Sequence, residues 1–265
     1  MKEPTLTAAE GFGTDYAEWK HWDTDAFGQV PRYQRHYFPA ELKRCGARPG
    51  PGARVLDIGF GHGTFLAWGR SQGWHMHGTE ANPQLVQAAR AQGFDAVQAL
   101  HLQDFPDGHF DLVSAFDVLE HVPQEQLLEL LSEVRRVLKP GAAFVARFPN
   151  ADSPFGLALQ HGDVTHVTAI GRGKVMYLAQ RAGARVHRLG GEVQPLWVGW
   201  SLTSAQHLFA APVKWLAQAL VRAVWLPHSR IDFWAANTVV EMRWPAPRGD
   251  GRTGGQIGPV NPMGH

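Results

Sequence analysis

Residues 55–66, VLDIGFGHGTFL, decide how the rest of the chain is read. The apolar run Val55 to Ile58 leads into Gly59, Gly61 and Gly63 at alternate positions, and helix-forming residues begin near Thr64. Glycines at such a turn let the backbone bend sharply and let a ligand approach with no Cβ in the way. The spacing is not the G-x-G-x-x-G of dinucleotide folds, and no Gly-Lys-Ser/Thr closes it as in nucleoside-triphosphate loops. Taken alone, the stretch is also what a tight strand-to-helix connection without a ligand looks like.

Outward from this loop, short β-rich runs alternate with helical patterns. Residues 53–58, 74–79, 94–98, 110–116 and 142–148 read as strands, several of them apolar on both faces, as a sheet covered on two sides requires. Asn82 followed by Pro83 reads as an N-cap with Pro at the first helical position, and Gly93 closes that helix. Pro123 opens another, in which Leu127, Leu128, Leu131, Val134, Val137 and Leu138 recur at helical steps until Lys139-Pro140-Gly141 stops it. Strand and helix in alternation predict a doubly wound α/β sheet.

Glu80 ends the second strand, where a carboxylate accepts the hydroxyls of a ribose. The third strand leads to Ala99, Leu100 and His101, placed to flank an adenine, and the fourth ends at Phe116 and Asp117 beside the glycine loop. Ligands of open α/β sheets sit at the carboxyl ends of strands near the switch in strand order, where all these positions converge. A nucleoside-bearing ligand is expected.

Composition narrows the partners. Of 265 residues, 44% are hydrophobic and 18% charged, and 25 basic against 24 acidic residues leave a net charge of +1. No global positive field exists to hold a nucleic-acid backbone, so no nucleic-acid partner is expected. The single cysteine, Cys45, excludes an intrachain disulfide. The start, MKEPTLTAAE, lacks the apolar run of a secretory signal, and no stretch is long enough to span a bilayer. A cytoplasmic location follows as the expectation, with the inner face of the membrane as its variant. Residues 246–265, rich in Gly and Pro and poor in large apolar side chains, are expected to be disordered.

The motifs VLDIGFGHG, Glu80, FPDGHFDLV, AFDVLEHV and LKPG, in this order, resemble class I S-adenosylmethionine-dependent methyltransferases over roughly residues 51–150. The resemblance implies a Rossmann-like, seven-stranded, mostly parallel sheet and S-adenosylmethionine as cofactor. It implies that Gly59, Gly61 and Gly63 lie against the methionine part, that Glu80 with its neighbour Ala81 holds the ribose, and that Phe116 lines the sulfonium. Asp57 is implied as an indirect partner of the amino group. Ala99 stands where the family often has Asp, so adenine contacts fall to Leu100 and His101. A loop without a phosphate-holding Lys suits this cofactor, which carries no phosphate. Glu120 and His121 read as residues that order their loop. No metal is assigned.

Residues 1–50, with Tyr16, Trp19, Trp22, Phe27, Tyr33, Tyr37 and Phe38 but no clean helical period, are similar to a segment of methyltransferases from bacterial surface-polysaccharide gene sets. Two roles stay open for these aromatics, a lid over the cofactor and core packing. The stretch FPNADSPFGLALQHGDVTHVTAI, residues 148–170, resembles the same group. Its Pro149, Asn150, Asp163, Thr165 and His166 suit a polyhydroxylated acceptor, a sugar or glycan intermediate, with His166 as general base and Asp163 as its orienting partner. A metal held by His161, Asp163 and His166 and a purely structural His166 are the alternatives. A small-molecule O- or N-methyl acceptor and a non-catalytic cofactor-binding partner protein are the competing functions.

Residues 51–245 form the methyltransferase domain, with residues 193–231 as a basic, Trp-rich helical insertion before an antiparallel last strand at 237–244, whose predecessor is 184–189. In residues 208–226 the only polar or charged side chains, Lys214, Gln218 and Arg222, lie four apart on one stripe. So broad an apolar surface requires burial in the protein as a lid or substrate wall, in peripheral contact with a membrane, or in a homodimer.

Overall fold

The computed structural model describes residues 26–99, 101–195, 202–225 and 232–245. Tyr16, Trp19, Trp22, Leu100, Trp197, Trp200, Arg230 and the expected disordered tail lie outside the described residues.

The chain builds one seven-stranded sheet in the order β3-β2-β1-β4-β5-β7-β6. Its elements are α1 (Arg32–Arg44), β1 (Arg54–Ile58), α2 (Thr64–Ser71), β2 (His75–Glu80), α3 (Pro83–Ala91), β3 (Asp95–Gln98), β4 (Phe110–Phe116), α4 (Leu127–Val137), β5 (Leu138–Pro149), α5 (Pro154–Gly162), α6 (Arg172–Arg181), β6 (Arg185–Gly191), α7 (Leu202–Trp225) and β7 (Asn237–Arg243). Strands β1 to β5 pair in parallel, and β7 enters antiparallel between β5 and β6. This is the doubly wound architecture read from the sequence, with α7 inserted between the final two strands as expected.

Strand alternation explains the two-sided core, because successive residues of a strand point to opposite faces. Val55, Leu112 and Val145 pack with Tyr37, Phe38, Phe65 and Leu85 on the face covered by α1, α2 and α3. Leu56, Val113 and Phe144 pack with Leu131, Val134 and Val175 on the face covered by α4 and α6. Chain order reverses between β1 and β4, so the loops after these two strands open onto one crevice at their carboxyl ends.

Local chemistry sets the helix ends. The Asn82 side chain accepts from the N–H groups of Gln84 and Leu85 at 2.8 and 3.4 Å, and Pro83 is the first residue of α3. One expectation is refined. Helix α4 ends at Val137, just ahead of Lys139-Pro140-Gly141 as expected, but these three residues lie within β5: Leu138 pairs with Phe110, the register then shifts, and Gly141 adopts φ +78°. A bulge of this kind tolerates a Pro that a regular central strand would not. Residues 32–44 form a helix despite lacking a clean period, because its buried face includes Glu41, whose carboxylate meets Arg188 at 3.2 Å.

Candidate functional site

The glycine loop turns through three left-handed residues, Gly59 (φ +62°), Gly61 (φ +51°) and Gly63 (φ +68°). They are not equivalent. A Cβ on Gly59 would stand 2.6 Å from Val118, and one on Gly63 would stand 2.3 Å from the Phe27 ring, so packing alone demands glycine at both. A Cβ on Gly61 would meet nothing within 4 Å. Gly61 is therefore the glycine that faces open space, the position where a ligand would benefit from a missing side chain.

Hydrogen bonding says which ligands the loop suits. The Gly59 and Phe60 N–H groups both donate to Thr79 O, and Gly63 N–H donates to Phe60 O. Gly61 N–H donates to Glu80 Oε2 at 3.0 Å. These four N–H groups are engaged within the protein and are not offered to a ligand. Thr64 starts α2 behind Gly63, which has no side chain to cap the helix.

Glu80 is buried at the end of β2, and its other oxygen, Oε1, accepts from Asn82 N–H at 3.0 Å. Each carboxylate oxygen has a second lone pair. The group is thus held rigidly beside the Gly61 opening with acceptor capacity for a pair of hydroxyls. Burial raises its pKa, while the amides of Asn82, Gly61 and Ala81 favour the charged form. Asp57, one strand over, is paired in register with Ser114, whose hydroxyl donates to Asp57 Oδ1 at 2.7 Å. Burial pushes the Asp57 carboxyl up to about 7, against the Ser114 hydrogen bond and with added repulsion from Glu80. An open Gly61 face, an acceptor carboxylate and a second buried carboxyl fit a nucleoside cofactor that carries a cationic group.

Phe116 closes the crevice from β4. It is half-buried, its ring centroid 5.1 Å from Phe65 and 5.8 Å from Phe38, and the Arg147 guanidinium lies 5.6 Å from its centre. The next residue, Asp117, is the one non-glycine with positive φ among the described residues (+59°), held there by its ion pair with Arg147. Burial opposes the charge of Arg147, yet Asp117, Tyr37 and Glu192 keep its pKa raised. Phe27, Tyr37 and Phe38 from the N-terminal segment serve as core packing under α2. Ala81 is half-buried beside Glu80, and His101 is exposed.

On the acceptor side the structure brings together residues the sequence kept apart. His166 Nε2 lies 3.6 Å from Asp163 Oδ2. Its ring also stands 4.6 Å from that of His121, in the loop that follows β4. Thr165 Oγ1 donates to Asp163 Oδ1 at 2.7 Å and so accepts from His121 Nδ1 at 2.9 Å. This assigns the His121 proton to Nδ1 and its basic lone pair to Nε2. Glu120, His121 and His166 place one ligand-type atom each within 4.8 Å of one another, whereas His161, the third member of the expected metal set, is exposed and outside the cluster. His121 was legible only as part of a loop-ordering pair, since its link to Thr165 spans 44 residues.

The polar loop read as a sugar site turns inward. Asn150 Nδ2 donates to Asp232 O and Ala235 O at 2.7 and 3.1 Å, its Oδ1 accepts from Asp152 N–H, and Asp163 and Thr165 are buried against each other. Asn150 pins the approach to β7 and does not face an acceptor. Apart from His161, the large side chains that the segment exposes are apolar: Phe155, Leu157, Leu159, Val164 and Val167.

Residues 30–207 match a family model described as a methyltransferase domain. A ubiquinone biosynthesis O-methyltransferase of Xanthomonas campestris pv. campestris is 32% identical over 148 residues, 52% of this chain and 60% of that protein. A sterol 24-C-methyltransferase of Yarrowia lipolytica is 32% identical over 145 residues, 51% of this chain and 36% of that protein. The chain thus spans less than two thirds of either relative. Among solved structures, an S-adenosylmethionine-dependent methyltransferase of Archaeoglobus fulgidus superposes with a TM-score of 0.57 at 22% identity, covering 78% of this chain and 93% of that one. With the sheet order, the glycine loop and the family match in agreement, the chain belongs to the methyltransferase domain family and has the class I, Rossmann-like fold.

Proposed function

We propose that the protein transfers a methyl group from S-adenosylmethionine to a hydroxyl oxygen of a small molecule with an apolar body. The cofactor supplies an electrophilic methyl on a sulfonium centre. Gly61 leaves room for it, Glu80 accepts from its ribose, Asp57 answers its ammonium group through the loop, and Phe116 lines the crevice. The His121–His166 pair beside that crevice is the observation that carries the reaction type. Methyl transfer is an in-line displacement, so positioning supplies most of the acceleration and a base need only take the hydroxyl proton as the bond forms. His166, oriented by Asp163, takes that proton, and His121, oriented through Thr165, stands next to it as a second acceptor.

The apolar side chains exposed around His166 support an apolar acceptor, and the names of the two curated relatives, one from quinone and one from sterol chemistry, lend support. Transfer to a sugar hydroxyl rests on the resemblance of residues 148–170 alone, since Asn150, Asp163 and Thr165 use their hydrogen bonds internally.

Calorimetric titration with S-adenosylmethionine and its demethylated product, beside NAD, tests the cofactor. Micromolar binding of the first two and none of NAD is expected; the reverse preference would overturn the cofactor assignment. Turnover is then measured on hydroxylated aromatics and nucleotide sugars in parallel, and methylation of the sugars alone would replace the acceptor class proposed here. His166→Ala and His121→Ala should each keep cofactor affinity and lower kcat by about 10²–10⁴. Unchanged kcat in both would return the pair to a structural role. Cofactor binding with no turnover on any acceptor would favour the non-catalytic partner reading.

A further inference from the structure

Helix α7 turns a broad apolar side outward. At 100° per residue, the described side chains Trp215, Ala219, Pro212, Ala223, Leu216, Phe209, Leu220, Val213 and Val224 follow one another around about half the circumference, and all are exposed. Not one of them is polar. Phe209 is 80% exposed, Trp215 71%, Leu216 64% and Leu220 59%. The half-buried positions Ala210, Ala211, Ala217, Gln218 and Val221 lie on the opposite side, toward the body. Lys214 reaches Gln194 Oε1 at 3.3 Å from that inner side. A surface helix of a water-soluble domain has the reverse orientation, apolar stripe inward and polar stripe outward.

Three properties identify what covers this face. No helix among the described residues is long and apolar enough to cross a membrane, so α7 does not span one. Residues 193–231 carry Lys214, Arg222 and Arg230 and no Asp or Glu, a balance that suits an anionic cover. A second copy meeting this face across a two-fold axis would set like charges against each other. A broad apolar arc with Trp and Phe, and Lys and Arg set off it, is the composition of a helix lying in the plane of a membrane interface. We propose that α7 docks the protein onto an anionic lipid surface, the apolar arc entering the headgroup boundary and Arg222, next to Trp215 at the edge of that arc, engaging lipid phosphates. The inference does not depend on the reaction proposed above, because none of the residues named for that site lies on α7.

Flotation of the full chain with phosphatidylcholine vesicles, with and without phosphatidylglycerol, tests it. At least tenfold more protein should float with the anionic vesicles. The triple variant Phe209→Ser, Leu216→Ser, Leu220→Ser should lose that binding at least tenfold while keeping its melting temperature and cofactor affinity. The variant Arg222→Glu should lose the preference for anionic lipid. Absence of the wild-type chain from both vesicle fractions would overturn the proposal. So would sedimentation as a dimer that the triple variant dissolves into monomers without any vesicle binding, since a second copy would then be the cover.

Discussion

A methyl group added at Gly61 would enter open space, and at Gly63 it would enter the ring of Phe27. Gly63→Ala combines left-handed strain with overpacking and should cost about 2–5 kcal/mol of stability. Gly61→Ala should cost only about 1 kcal/mol, yet its Cβ would occupy the cofactor's side of the loop. Thermal melts beside cofactor titration separate the two, and wild-type affinity in Gly61→Ala would remove that glycine from the site. Asp57 supplies a pH signature. Its carboxyl, ionising near 7 when folded and near ~4 when unfolded, holds a proton that unfolding releases between those values. The stability it contributes is complete below about pH 4 and is lost as pH rises to about 7. Asp57→Asn keeps an acceptor for Ser114 and removes the titration, so it should raise the unfolding free energy more at pH 8 than at pH 4, by roughly 4 kcal/mol at most. Equal gains at both pH values would place the buried charge elsewhere. In the wild type, cofactor affinity should fall as pH drops below about 7, because a protonated Asp57 no longer attracts an ammonium group.

Helix α3 shows what an element can declare about itself: a cap, a Pro at the first position and a closing Gly lie within one short stretch of chain. Asn82→Ala should cost about 1 kcal/mol, and since Asn82 N–H also braces Glu80, Asn82→Asp, which keeps the cap, should preserve cofactor affinity. A loss of affinity in that variant would show that more than the cap matters there. Helix α1 declared nothing of the kind, because its buried face carries a charge. Glu41 is fully buried only because Arg188, from β6, and the Val193 N–H reach it. Arg188→Leu leaves that carboxylate buried and unpaired and should destabilise by about 3–5 kcal/mol; a melt within a degree of wild type would show that Glu41 finds water instead.

For the whole molecule, the sheet is the unit that should unfold last. Amides of β1, β4 and β5, covered on both faces, are expected to exchange only through global opening, while those of α7, exposed around about half its circumference, exchange far faster and slow on vesicles. Full protection across α7 in the absence of lipid would contradict that exposure. The sequence by itself determined the order of strands and helices, the glycine loop, the carboxylate at the end of β2 and the family resemblance. These follow from periodicity and backbone preference over a few neighbouring residues. Only the tertiary structure decided that one of the three loop glycines faces open space, that Asn150 and Thr165 turn inward, that His121 stands beside His166, and which half of α7 meets solvent. Each of those depends on contacts between residues far apart in the chain, set by how loops close over the sheet, and no local pattern encodes that direction.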